Sequence, residues 1–147
     1  MPARGEFTKL GTTRTDLEAA WPARLAEAQS LHAAGHHAWA IATAVYALEI
    51  RLKVMICKKL DLEKLPRAFE IHDLDSLLLL AGLSQRIERR GALRVKFTWE
   101  LIKREAEGLN DLRYGPASHW TAAQAADLLR ALTDPTEGVL SWLSKQR

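Results

Sequence analysis

Apolar residues recur three and four positions apart along most of the chain, the repeat that lays a single stripe down an α-helix. The first stripe is Leu17, Trp21, Leu25, Ala28 and Leu31. Thr15 stands three residues before Glu18, the spacing of a reciprocal cap in which the hydroxyl accepts a main-chain amide and the acid reaches back to the cap. Pro22 fits either the first turn of a helix that starts late or a kink in one that starts at Asp16. Gly35 offers a left-handed stop. The strongest pattern follows from His37 to Lys59, with Ile41, Val45, Leu48, Leu52, Met55 and Ile56 as its buried face. Ala38, Ala40, Ala42, Ala44 and Ala47 keep its first half slim, so a neighbouring helix can approach closely.

Beyond a connection around Pro66, Asp73 or Asp75 caps a helix carrying Leu74, Leu77, Leu78 and Ala81, stopped by Gly82. The unbroken run Leu77 to Leu80 predicts burial on most sides. Ser84 opens a short basic helix that Gly91 interrupts. From Ala92 to Glu107, Val95, Trp99, Ile102 and Ala106 form a stripe that Phe97 and Leu101 widen, and Gly108 closes it. Thr121 and Gln124 make a second capping box, before Ala125, Leu128, Leu129 and Leu132. Asp134, Pro135 and Glu137 mark the start of a last helix. No stretch alternates as a strand does, and no repeat recurs. The expected fold class is all-α: an up-and-down bundle of about four to six helices. It forms one domain over residues 15–147, preceded by a flexible N-terminal arm at 1–14 with Gly5, Gly11 and little apolar periodicity.

Composition agrees with one folded domain. The chain has 147 residues, 48% apolar and 27% charged, enough for one core. Cys57 is the only cysteine, so there is no disulfide framework, and the expected location is the cytoplasm. No apolar run approaches the roughly 20 residues that span a bilayer, so no membrane association is expected. The net charge of +3 is mild, but Arg86, Arg89, Arg90, Arg94, Lys96, Lys103 and Arg104 bunch with only Glu88 and Glu100 beside them in sequence. This segment is either a solvated helix face or a surface for a polyanion such as RNA.

Candidate chemistry concentrates in the turn from Asn110 to Trp120, a polar and aromatic interruption of an otherwise helical chain. Arg113 offers a fixed guanidinium fork that fits phosphate, and His119, after five intervening residues, offers an imidazole that exchanges protons near neutral pH. Such a pair suits RNA cleavage, in which a 2′-hydroxyl loses a proton while charge builds on the phosphate. A capping or turn-bracing role accounts for the same two residues. Glu49, one position beyond the apolar stripe of the longest helix, is either a surface acid paired with Lys53 or an acid with a task inside. His32, His36 and His37 read as an exposed helix junction, His72 as the start of a helix, and Cys57 as a small buried apolar residue. Gly-rich phosphate loops and carboxylate clusters are missing from the sequence, so no metal or other cofactor is expected.

Together, Ala44-Val45-Tyr46-Ala47-Leu48-Glu49-Ile50-Arg51-Leu52-Lys53, His72-Asp73-Leu74 with Leu77 and Leu78 behind it, and Leu112-Arg113-Tyr114 resemble the HEPN family in order and spacing. The likeness spans roughly Ala20 to Leu132. It implies a helical bundle that binds RNA or nucleotide and, in toxin-type members, a metal-independent endoribonuclease built from paired Arg-x(4 to 6)-His motifs at a homodimer interface. Carried over, Arg113 and His119 are the catalytic pair, Glu49 orients the arginine, Tyr114 is a contact or modification target, and Arg86, Arg89, Arg90, Arg94 and Lys96 guide RNA. The implied partner is a nucleotidyltransferase antitoxin. Tyr114-Gly115-Pro116, however, is similar to the Arg-Tyr-Pro ending of non-catalytic members, which implies the alternative of a module that binds nucleotide or docks a nucleotidyltransferase.

Overall fold

A computed structural model describes residues 13–146. Among them are eight α-helical segments and no strand, an all-α helical bundle. The long members are α1 (Arg14–Ala33), α2 (His37–Lys59), α5 (Leu93–Glu107) and α7 (Ala122–Thr133). Shorter pieces join them: α3 (Leu74–Leu80), α4 (Ser84–Ile87), α6 (Leu109–Leu112) and α8 (Val139–Ser144). α3, α4 and α8 fall where short helices were expected, and only α6 lies in a stretch read as a turn.

Helix α2 is the axle of the bundle. Ala38, Ala40, Ile41, Ala42, Ala44, Val45, Ala47, Leu48, Leu52, Val54, Ile56 and Cys57 are all buried, which takes in far more than one stripe. α1 packs along it as a hairpin partner, while α7, α3, α5 and α6 touch its other sides. The alanines let these backbones close in, as expected. Trp21 and Arg51 stack across the hairpin, with the guanidinium carbon 5.4 Å from the ring centre. A smaller cluster of Leu17, Val54, Cys57 and Leu65 seals its open end.

Helix ends follow local chemistry. α1 is capped by Thr13 rather than Thr15, its hydroxyl accepting from the Asp16 amide at 3.1 Å. The cause lies outside the helix: the Arg14 amide donates to the Glu63 carbonyl at 2.7 Å, which holds Thr13 extended against the connection. Thr13 and Arg14 thus belong to the domain, and the rest of the expected N-terminal arm lies outside the described residues. Pro22 is inside α1 at an exposed position, so it interrupts the main-chain ladder without ending the helix. Gly35 closes α1 at φ 85°, with its amide donating to His32 and that of His36 to Leu31.

Other sequence expectations fail. Leu79, within the leucine run, is 65% exposed, and Phe97 on α5 is 67% exposed, because each points away from the α2 axle. Asp134 accepts from the Thr136 and Glu137 amides, both at 2.8 Å, but the turn it caps does not propagate. α8 starts only after Gly138, whose amide donates back to the Asp134 carbonyl. No helix among the described residues is long and apolar enough to cross a membrane.

Gly35 and Gly91 provide a controlled comparison. A Cβ meets nothing within 4 Å at either site, but only Gly35 has a left-handed backbone. Gly35→Ala is expected to lower unfolding free energy by about 1–2 kcal/mol, and Gly91→Ala to leave it unchanged or raise it slightly; urea denaturation of both variants checks this.

Candidate functional site

A partly polar cavity of about 430 Å³ sits where α2, the start of α3, the end of α5 and α6 meet. Tyr46 and Glu49 reach it from α2, His72 and Asp73 from the α3 cap, Lys103 from α5 and Arg113 from the end of α6. Each arrives for a local reason. Asp73 fixes the start of α3 by accepting from the Ser76 amide at 2.8 Å and the Ser76 hydroxyl at 2.7 Å, which holds its carboxyl below the usual range. Gly108 ends α5, and the following turn, anchored by buried Leu112, carries Arg113 to the rim.

Glu49 is the only polar or charged residue that is buried among the described residues. Its carboxylate meets His72 Nδ1 at 3.0 Å, with 8% of its side chain exposed against 81% for His72. The surface pairing with Lys53 is therefore not its arrangement; Lys53 acts on it only as a nearby charge. Burial drives the Glu49 carboxyl upward, and the bond to His72, the His72 charge and Lys53 only partly offset this. His72, read from sequence as helix decoration, is thus bonded to the core acid from a distant part of the chain.

Asp75 divides its carboxylate between two partners, one oxygen accepting from the Trp99 indole at 2.9 Å and the other facing Lys103 Nζ at 2.6 Å. That contact holds the Lys103 ammonium above its usual range. The pair also stands between the main cavity and a second one of about 300 Å³ that reaches Ser84, Glu88 and Lys96. Lys96 and Lys103 thus mark a path along one side of α5, about 10 Å long at roughly 1.5 Å per residue. Acids outnumber permanent cations in the main cavity, but most are engaged: Glu49 with His72, Asp75 with Lys103, and Asp73 with the α3 amides. Arg113 remains as the cation at the rim.

The structure does not bring His119 into this cavity. Trp120 is buried against Gly115, where a Cβ would come within 2.7 Å of the indole, and this packing anchors the turn from inside. Arg113, Tyr114 and His119 are left outside, with Tyr114 90% exposed and His119 edge-on to Trp120 at 5.1 Å. The basic segment is partly neutralised by acids distant in sequence as well as near: Arg94 pairs with Glu137 at 2.6 Å and Lys96 with Glu88. Arg86 reaches Gln146 at 3.3 Å, while Arg89 and Arg90 are exposed. At the α1–α2 corner His32 Nδ1 meets His37 Nδ1 at 3.0 Å, leaving His36 exposed. No group of three or more metal-binding side chains gathers among the described residues.

The comparisons add no identity: no family model, curated protein or solved structure matches the chain.

The raised Glu49 carboxyl has a defined sign in stability. Its contribution is complete below the ordinary glutamate value of 4.5 and is lost as pH rises through the higher folded value. Melting curves of wild type and Glu49→Gln between pH 4 and 8 should show wild type losing ground to the variant as pH rises; a gap independent of pH would contradict this.

Proposed function

We propose that the chain is a HEPN-like module that binds single-stranded RNA or a nucleotide, with a phosphate on Arg113 and the rest of the ligand over the cavity toward Lys103. The observation that carries this reading is convergence. Tyr46 and Glu49, His72 to Leu74, and Arg113 come from the separate segments on which the family resemblance stands, and all line one cavity. A guanidinium and an aromatic ring lining one cavity suit a nucleotide, because the fork takes the phosphate and the ring of Tyr46 offers a stacking face. Four acids against two permanent cations in the wall favour a single phosphate contact, at Arg113, over the many that a duplex backbone requires. Lys96, paired with Glu88, lies beyond Lys103 on the same side of α5, and the exposed Arg89 and Arg90 before that helix are the cations that would meet a longer strand.

A second reading follows from the exposure of His119 on the same turn as Arg113. In it two copies form a homodimer that brings both Arg113 and His119 pairs to one RNA strand as a metal-independent endoribonuclease of the toxin type, restrained by a nucleotidyltransferase antitoxin. Cleavage that requires His119 and a dimer would favour it over the binding module.

Fluorescence anisotropy with a labelled single-stranded RNA of mixed sequence tests the binding reading. Arg113→Ala removes a charge-assisted contact worth roughly 1.5–3 kcal/mol, so affinity should fall roughly 10- to 100-fold and the salt dependence should flatten. RNA bound equally well by Arg113→Ala, or not bound by wild type, would end this proposal.

A further inference from the structure

The contact between Glu49 and His72 joins side chains 23 positions apart and stands at the wall of the same cavity as Arg113. An ionised carboxylate only accepts hydrogen bonds, so with Glu49 charged His72 Nδ1 must donate, and the free lone pair of the neutral ring lies on Nε2. A buried acid thus sets the tautomer and angle of an imidazole that is itself mostly open to solvent. This is the division of labour between an orienting acid and a proton-transferring base. Packing alone gives no reason for an acid at this depth, since replacing a buried ion pair by apolar groups is often neutral or stabilising.

We propose that His72, oriented by Glu49, is the general base of an RNA-cleaving centre in this cavity, with Arg113 on the phosphate being cut. The proposal depends on the RNA-binding reading and adds a reaction to it. His72 Nε2 takes the proton of a ribose 2′-hydroxyl, and that oxygen forms a bond to the adjacent phosphorus. The bond from phosphorus to the 5′ oxygen breaks, the departing oxygen takes a proton from solvent, and His72 returns its own proton to solvent. One strand becomes a 2′,3′-cyclic phosphate and a 5′-hydroxyl, with no oxidant, reductant or second substrate consumed. Arg113 balances the charge that builds on the phosphate. The other charged groups lining the cavity are Asp73 and Asp75 from α3 and its cap, and Lys103 and Glu107 from α5. Glu49 is a positioning residue, because it acts through the imidazole.

The test compares wild type, His72→Ala, His119→Ala and Glu49→Gln on an end-labelled single-stranded RNA in excess EDTA, with circular dichroism and RNA affinity measured for each. Wild type should release cyclic-phosphate ends, and an all-deoxy strand of the same sequence should bind uncut. His72→Ala should lose a hundredfold or more in rate while keeping its fold and RNA affinity. Glu49→Gln should lower kcat while leaving KM and RNA affinity unchanged, and Glu49→Asp should recover part of the rate; a merely structural glutamate would lower melting temperature and RNA affinity together. If wild type binds RNA but leaves it intact, the reaction is wrong and the binding reading survives. If it does not bind, both fall. Loss of cleavage in His119→Ala with full activity in His72→Ala would overturn the proposal and assign the base to the exposed turn.

Discussion

Burial of α2 on nearly every side is the constraint that orders the rest of the structure. A helix carrying one apolar stripe needs one neighbour, whereas this helix hides small and large side chains all round and must be surrounded. α1 closes one side through the short turn at Gly35, and α7, α3, α5 and α6 are drawn onto the others. Placing an ionisable residue on such a helix then requires a partner delivered to it. His72 arrives from the cap of α3, and the cavity opens where those elements meet without filling the space between them.

Asp73 and Asp75 explain why the meeting point has a defined shape. Asp73 fixes the first turn of α3, and Asp75, two residues on, ties that turn to Trp99 and Lys103 of α5. The indole is 1% exposed, so this hydrogen bond joins the core to the cavity wall. Loosening it would displace a core aromatic as well as a surface charge.

Much of the fold was legible in the sequence because its signals are local. The extent of α2, the stops at Gly35 and Gly82, the cap at Asp73 and the box of Thr121 with Gln124 each depend on residues a few positions apart. Phe97 and Leu79 misled because periodicity reports which positions are apolar and says nothing of where the neighbouring helices stop. Thr13 displaced Thr15 through a main-chain bond to Glu63, a contact invisible to a local pattern. The site divides in the same way. Glu49 stood out as an acid beside a core stripe, and Arg113 as a phosphate-fitting cation in an unusual turn. The link of Glu49 to His72, and that of Asp75 to Lys103, join residues of different helices and became visible only once the helices were assembled.

The alanines of α2 carry a consequence for how this protein can change over time. Ala40, Ala44 and Ala47 are fully enclosed, so any larger residue there must force a neighbouring helix outward. The turn bearing Arg113, Tyr114 and His119 hangs from two anchors, Leu112 and Trp120, with its other side chains in solvent. Substitutions should therefore accumulate on that rim far faster than on the axle, and the surface of the turn can drift through a lineage while the scaffold beneath it stays fixed.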